Sequence, residues 1–372
     1  MYLEHLSLLS FRNLIEQKIS FDSKLNIIYG DNAQGKTSLL EAIYFLSISK
    51  SFRTNSERIA IQLGKEYFDI KGFFKNSNEQ ISTIRLFYST NDGKNIFIND
   101  NKINKFSELI GIVPTILLSL NDLEITYGVP SFRRKFLDIL LSQVSPTYLQ
   151  SLQHYKRSLL QRNKLINLIR EKKESKKVLF PWNDQLVKYG SEIILFRMKF
   201  IEYANDKINE YYKTISNREE PIRIEYKSNI GDNAEISEVN KMRNRFYDLL
   251  DQQYQNDLHK GSTSIGPHRD DLHFYLHDNL IKSFGSQGEN KTFLITLKLL
   301  EGSYLKLKRL NNPLFLMDDI FGELDSSRTG RLMEYLGTMG QTFVTTTLTN
   351  KFSSYPTNES RLIHLKNGMV VN

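Results

Sequence analysis

Gly30-Asp31-Asn32-Ala33-Gln34-Gly35-Lys36-Thr37 decides how this chain is read. It fits G-x-x-x-x-G-K-[ST] at every defined position, and its flanks are the ones that the motif's chemistry needs. Leu25-Asn26-Ile27-Ile28-Tyr29, just before it, is short and mostly apolar, as a buried strand should be. Thr37 to Ser47 follows as a helix, with Leu39, Leu40, Ile43 and Leu46 on one face at helical spacing. Gly30 and Gly35 let the backbone curl so that N–H groups point inward at phosphate oxygens. The helix that starts near Lys36 adds the positive end of its dipole. Lys36 is expected to neutralise the β- and γ-phosphates of ATP and the Thr37 hydroxyl to bind Mg²⁺. Asp31, Asn32, Ala33, Gln34 and Ser38 complete the expected cradle.

Such a loop needs an acidic partner for the metal. Pro313-Leu314-Phe315-Leu316-Met317-Asp318-Asp319 supplies one, an apolar strand ending in two carboxylates. Asp318 is placed to hold Mg²⁺ and Asp319 to orient or deprotonate an attacking water. Ser283-Phe284-Gly285-Ser286-Gln287-Gly288-Glu289 precedes a helix over Asn290–Leu310, where small residues and a hydroxyl again make an anion site. Alone that is a weak signal. Here it precedes the acidic strand, in the order of the ABC-type ATPase signature and Walker B motifs.

The remaining chain reads as an α/β protein with a helical insertion. Leu3–Phe11, Ile19–Phe21, Tyr67–Phe74 and Ile81–Tyr88 alternate as strands do, and Asn91-Asp92-Gly93 reads as a hairpin turn. Phe132–Ile169 is helical in composition, Pro181 interrupts it, and Asn183–Tyr212 resumes the pattern, which predicts an αα-hairpin. Ile222–Tyr226 reads as a strand and 241–259 as a helix. The expected boundaries are 1–114 and 258–372 for one ATPase head and 115–257 for a mostly helical second domain.

With 372 residues, 40% apolar, 23 Phe and 19 Tyr, the chain can fill a sizeable core and is not a disordered polymer. Cys is absent, which excludes disulfide scaffolds, thiolate zinc sites and Cys nucleophiles. There is no apolar run long enough to span a membrane and no secretory pattern at the N-terminus, so a cytoplasmic location is expected. The net charge is +8, which points to an acidic partner such as nucleic acid. Residues 156–177 hold nine cations (Lys156, Arg157, Arg162, Lys164, Arg170, Lys172, Lys173, Lys176 and Lys177) against two glutamates. That segment is either a DNA-phosphate contact or the solvated tip of the hairpin. His273 and His277 share the polar face of a strand near Asp270 and Asp271, too loose a set for zinc.

Several stretches together carry a family resemblance. They are Phe11-Arg12-Asn13-Leu14, the phosphate loop, Leu40-Glu41-Ala42-Ile43-Tyr44, Ser51-Phe52-Arg53-Thr54 and Phe132–Asp138. Further on come Gln161-Arg162-Asn163, Trp182–Leu186, Gly266-Pro267-His268-Arg269-Asp270-Asp271-Leu272 and Gly322-Glu323-Leu324-Asp325. In this order, over nearly the whole chain, the sequence resembles the bacterial RecF family of recombination proteins. The resemblance implies an ABC-type ATPase head, related to SMC proteins but without their long coiled coil. Arg12 and Asn13 match positions that contact the nucleotide. Ser286, Gly288 and Glu289 match the signature that acts on a partner subunit's γ-phosphate, and Gly322–Asp325 match the D-loop. Implied too are ATP-dependent homodimerisation on single- and double-stranded DNA at gaps or junctions, slow hydrolysis, and work with RecO and RecR in loading RecA.

Four departures stand out. Leu120-Asn121-Asp122 replaces a usual Pro-Glu-Asp in the Q-loop region. Gly322 stands where Ser or Ala is usual, and Glu289 where Gln is commoner. No switch histidine follows Gln341–Thr347. Three functions are therefore weighed: a DNA-repair ATPase with weak, DNA-stimulated turnover, a structural ATP-binding clamp on DNA, and a transporter's ATP-binding subunit. The missing histidine and the motifs outside the phosphate loop argue against the last.

Overall fold

A computed structural model of the protein describes residues 1–76, 79–231, 238–309, 311–347 and 360–371. The chain divides into two compact units. One comprises Met1–Asp122, Thr214–Ser216 and Ile295–Asn372, the other Leu123–Lys213 and Asn217–Leu294. In chain order the strands are β1 (Tyr2–Phe11), β2 (Leu14–Ser20), β3 (Leu25–Tyr29), β4 (Tyr67–Lys75), β5 (Ile81–Ser89), β6 (Gly93–Ile98), β7 (Asn101–Lys102) and β8 (Thr115–Ser119). They continue with β9 (Ile222–Lys227), β10 (Asp271–Leu276), β11 (Asn279–Leu280), β12 (Leu314–Asp318), β13 (Thr342–Thr346), β14 (Ser360–Lys366) and β15 (Met369–Val371).

The first unit has two sheets with one helix between them. One sheet is antiparallel, in the order β2-β1-β4-β5-β6-β7. The other runs β15-β14-β3-β13-β12-β8 and is parallel except for the β14–β15 hairpin. Helix α1 (Lys36–Ile48) touches strands of both. Covered on two sides, it is buried at every residue from Ser38 to Ser47, so its apolar residues surround it instead of forming the single stripe read from the sequence. Phe11, Phe45 and Phe68 meet edge to face in this core, with Phe11 5.8 Å from Phe45 and 5.2 Å from Phe68. Burying each such ring stabilises the fold by roughly 1.5–3 kcal/mol. The parallel register brings the ends of β3, β12 and β13 to one edge, with Asp318 opposite Thr345 and also opposite Ser119 of β8. Ligand sites of parallel sheets lie at that edge.

The second unit is mostly helical, with a three-stranded antiparallel sheet β11-β10-β9. Its helices are α2 (Glu124–Tyr127), α3 (Pro130–Val144), α4 (Pro146–Arg170), α5 (Phe180–Ser216, the last three residues counted with the first unit), α6 (Val239–Gln252), α7 (Tyr254–Lys260) and α8 (Ile281–Phe284). α9 (Gln287–Arg309) leads from this unit into the first, which also holds α10 (Ser326–Met339). α4 and α5 are an antiparallel pair: Ser151 bonds Glu192, His154 stacks on Tyr189, Ser158 bonds Gln185 and Arg162 bonds Asn183.

Several expectations need correction. The helical run over 132–169 is two helices, because Pro146 forces Ser145 into the extended region, where its hydroxyl caps α4 by accepting from the Tyr148 N–H. Pro181 does not break a helix; it sits in the first turn of α5, where its missing N–H costs nothing. The helix over 241–259 is likewise two. Residues 115–122 belong to the head, since β8 pairs with β12. Residues 258–294 belong with the helical unit, since β10 pairs with β9. Among the described residues no helix is long and apolar enough to cross a membrane.

Gly266–Leu272 acquires a physical role within the helical unit. Gly266 has φ 126°, and a Cβ there would lie 2.3 Å from the Tyr155 hydroxyl. The Pro267 carbonyl accepts from Arg197 at 2.8 Å. His268 Nε2 meets the Thr263 carbonyl at 3.0 Å, so that nitrogen carries the proton and Nδ1 accepts from the Tyr155 hydroxyl at 2.6 Å. Asp270 accepts from Tyr226 and from the Asn229 N–H, and Asp271 takes both arms of Arg133 at 2.7 and 3.0 Å. The motif staples three helices and a strand together.

Candidate nucleotide site

The loop Gly30–Gly35 has the backbone that phosphate binding requires. Gly30, Ala33 and Gly35 all have positive φ. A Cβ at Gly30 would lie 2.3 Å from the Leu365 carbonyl oxygen, and one at Gly35 2.9 Å from Leu14. Only glycine fits either position. Gly35 caps α1 without any side-chain bond, and the first turn of α1 holds no acid, so its N–H groups and dipole are free to meet an anion. Asp31, Asn32 and Ala33 are exposed along the loop, and Ser38 is buried beneath it. Two neighbours brace the loop: Asn13 Nδ2 donates to the Ala33 carbonyl at 3.2 Å, and Gln34 accepts from the Asn367 N–H.

Lys36 is buried, and its ammonium donates to the carbonyls of Gly30 at 2.7 Å and Asp31 at 2.8 Å. Burial lowers its pKa, while the carboxylates of Asp319, Asp318 and Asp31 act the other way. The Thr37 hydroxyl donates to Asp318 Oδ1 at 2.9 Å, across 281 residues of sequence. The same oxygen accepts from Thr345 at 2.8 Å. Burial raises the Asp318 pKa and so does neighbouring Asp319; the bonds from Thr345 and Thr37 and the charge of Arg53 oppose this. A half-buried carboxylate beside a threonine hydroxyl suits Mg²⁺, which takes one or two protein oxygens and fills its remaining positions with phosphate and water. Asp319 is exposed, at φ 53°, with its N–H on Thr345 Oγ1 at 2.9 Å. The residues present fit a nucleoside triphosphate with a divalent cation.

The sequence reading missed Thr345, whose signal is its register position opposite Asp318. It also gave no role to Glu41, fully buried on α1, or to Ser51 and Arg53, which bond it. Arg12, matched by resemblance to a nucleotide contact, is spent on protein: Nε and Nη2 donate to Glu41 and Nη1 to the Ile59 carbonyl.

The other expected elements lie elsewhere in the fold. In the helical unit, Ser286 and Glu289 form a reciprocal capping box. The Ser286 N–H and hydroxyl donate to Glu289 Oε2 at 2.7 and 2.9 Å, and the Glu289 N–H donates back to Ser286 Oγ at 3.3 Å. Glutamate serves that box as well as glutamine would. Gly288 follows in the first turn, its carbonyl accepting from Thr292. In the segment expected as the D-loop, a Cβ at Gly322 would meet nothing within 4 Å, so the glycine is not a steric demand. Leu324 is buried, Asp325 caps α10 by accepting from the Arg328 N–H, and the side chain of Glu323 lies outside the described residues. Asp122 accepts from the Ser119 N–H and hydroxyl, fixing the end of β8 next to Asp318.

The basic segment divides. Lys156, Arg157, Lys164, Arg170, Lys172, Lys173 and Lys177 are exposed. Arg162 is not a surface cation: it is buried, bonded to Asn183, Asp257 and Thr263 at 2.7 Å each, and is withdrawn from the candidate DNA contacts.

The chain matches the family model for the RecF/RecN/SMC N terminal domain over residues 2–370. It is 34% identical over 370 residues to the DNA replication and repair protein RecF of Bacillus cytotoxicus, covering 100% of this chain and 98% of that one. The chain belongs to the RecF family. The RecF of Bacillus thuringiensis is 34% identical over 371 residues, with the same coverage. The solved structure of the recombination mediator protein RecF-ATP in the RecFOR pathway superposes with a TM-score of 0.91 at 32% identity, covering 100% of this chain and 97% of that one. Its RecF-ATPrS counterpart gives 0.90 at 32%, covering 99% and 97%. An Smc head bound to the C-winged helix domain of ScpA gives 0.58 at 17% and shares the fold alone, covering 100% and 96%. The RecF fold here is thus an ABC-type P-loop ATPase head with a mostly helical second domain.

Proposed function

We propose that the protein is an ATP-binding recombination mediator of DNA repair and replication. In this reading it forms an ATP-dependent homodimer on DNA gaps or junctions in the cytoplasm, hydrolyses ATP slowly, and works with RecO and RecR to load RecA. The observation that carries the reading is the Thr37–Asp318 bond beneath a glycine-shaped phosphate loop, in a chain 34% identical to RecF relatives over its full length. The metal-bound nucleotide, when present, supplies the charge that draws the two subunits together. Lys36 and the α1 N-terminus bind its phosphates, Thr37 and Asp318 hold the cation, and Asp319 is the acid that orients water. Ser286 and Gly288 act on the partner's nucleotide. The exposed cations Lys156, Arg157, Lys164, Arg170, Lys172 and Lys173 face DNA phosphates. Asn121, where the family usually has a carboxylate, favours a clamp with little turnover as the second reading.

The test is sedimentation on gapped duplex DNA, with phosphate release read on the same samples. ATP should convert monomer to dimer, Asp319→Asn should accumulate dimer, and Ser286→Arg should stay monomeric while binding ATP. Pairing that ignores ATP, or Ser286→Arg pairing normally, would contradict the reading.

A further inference from the structure

The phosphate loop is gripped from outside by a hairpin more than 300 residues further along the chain. β14 and β15 are joined by Asn367 and Gly368, both at positive φ, 51° and 72°. A Cβ at Gly368 would lie 2.0 Å from the Asn13 carbonyl oxygen, so the turn closes on Asn13 only as glycine. Asn13 in turn donates from Nδ2 to the Ala33 carbonyl at 3.2 Å, and a Cβ at Gly35 would lie 3.1 Å from its side-chain oxygen. The Asn367 N–H donates to the side-chain oxygen of Gln34, across 333 residues. At the other end of the loop, a Cβ at Gly30 would lie 2.3 Å from the Leu365 carbonyl oxygen of β14.

Gly30, Ala33, Gln34 and Gly35 are therefore held by the hairpin, directly or through Asn13, while Asp31 and Asn32 between them stay exposed. A hairpin that only completed the sheet would need its own ladder and the bond from the Val370 N–H to Gln17 of β2 at 3.1 Å. It would need neither a turn N–H spent on a loop side chain nor a glycine against Asn13. A loop already ordered when its ligand arrives spares the binding energy that ordering consumes.

We propose that Asn367 and Gly368 are positioning residues for the nucleotide site: their turn sets the phosphate loop in its receiving shape before nucleotide arrives, directly through Gln34 and indirectly through Asn13. This rests on the ATP-binding reading above. In this role the turn contacts only protein, and its effect on ATP runs wholly through the shape of the loop.

The experiment measures ATP affinity with Mg²⁺ in the full-length protein and its variants, with thermal unfolding of each. Gly368→Ala puts a side chain into the left-handed region and onto the Asn13 carbonyl, so the turn must shift off the loop, and ATP binding should weaken about tenfold. Gly93→Ala is the control. Gly93 has φ 67° at the turn between β5 and β6, with open space where its Cβ would be, so the variant carries the backbone penalty without the contact. Its ATP affinity should match wild type whatever its unfolding temperature. Gln34→Ala removes only the acceptor and should weaken binding about threefold. Added to Gly368→Ala it should cost almost nothing more, because both break the same hold. Phosphate release by Gly368→Ala at saturating ATP should keep the wild-type rate. Where Gly368→Ala does not fold, Gly368→Asn, which tolerates positive φ better but keeps the clash, takes its place. ATP affinity unchanged in the Gly368 variant, an equal loss in Gly93→Ala, or losses that simply add would overturn the proposal and leave the hairpin as a sheet edge. A wild-type protein that binds no ATP would overturn the nucleotide reading itself, an outcome distinct from these.

Discussion

In the helical unit, three carboxylates have guanidinium partners. Arg133 grips Asp271, Arg162 grips Asp257 and Arg197 grips Asp138, at 2.7 to 3.0 Å. At the sheet edge of the ATPase unit, Asp318 has two hydroxyls for partners, while Lys36 bonds the carbonyls of its own loop. The same kinds of side chain serve opposite ends. A buried ion pair whose hydrogen bonds are complete holds helices in register. A half-buried carboxylate given only hydroxyls is costly to ionise, and that cost persists where a ligand's cation offsets it. Satisfaction of charge thus separates the two sites more cleanly than residue type does.

The largest effect should come from breaking a staple. Arg162→Ala leaves Asp257 buried without its cation and should cost about 3–5 kcal/mol. Denaturant melts would read this as a large fall in midpoint. A loss under about 1 kcal/mol would return Arg162 to the surface-cation class.

A middle effect concerns pH. Burial, with the charges of Arg269 and Arg134, pushes the His268 pKa down to about 4, against the bond to the Thr263 carbonyl. A depressed pKa means that the unfolded chain takes up the proton first. The stabilising contribution is then complete above about pH 6.5 and is lost as pH falls towards the folded value, up to about 3 kcal/mol in all. His268→Gln should flatten that part of the stability–pH curve. An unchanged slope would remove His268 from the staple.

These effects mark what could be read from sequence. The phosphate loop is legible because its chemistry is contained in eight consecutive residues between a strand and a helix. Asp318 is legible because it ends an apolar run. Thr345 is not, since only the parallel register of β12 and β13 brings it to Asp318. Glu41 looks like a charge on a helix surface until two sheets are seen to cover α1. The Gly266–Leu272 motif is silent because its partners Tyr155 and Arg133 lie 113 and 138 residues from His268 and Asp271. For the same reason Arg162 reads as one more cation in a basic run, its acid being 95 residues away.

The smallest effect separates the exposed cations from Arg162. Neutralising Lys156, Arg157, Lys164 and Arg170 together should leave stability unchanged. It should flatten the log–log salt dependence of duplex binding by about 0.9 for each DNA phosphate that the protein no longer neutralises. An unaltered slope would make the segment a solvated hairpin tip.

Asp318→Asn tests most directly the claim that this acid serves a ligand and not the fold. Asparagine keeps an oxygen for Thr37 and Thr345 but removes the half-buried charge. For a carboxyl whose pKa burial raises, the stabilising contribution is present below the ordinary carboxylate range and is lost as pH climbs through the raised value. At neutral pH the ionised form therefore costs stability. Thermal unfolding of the wild type and Asp318→Asn, each with and without Mg²⁺ and ATP, reads both consequences at once. The account predicts that the nucleotide-free variant melts at or above the wild-type temperature and that the Mg²⁺-dependent rise seen with ATP disappears. A variant that melts well below wild type yet keeps the full rise would contradict it.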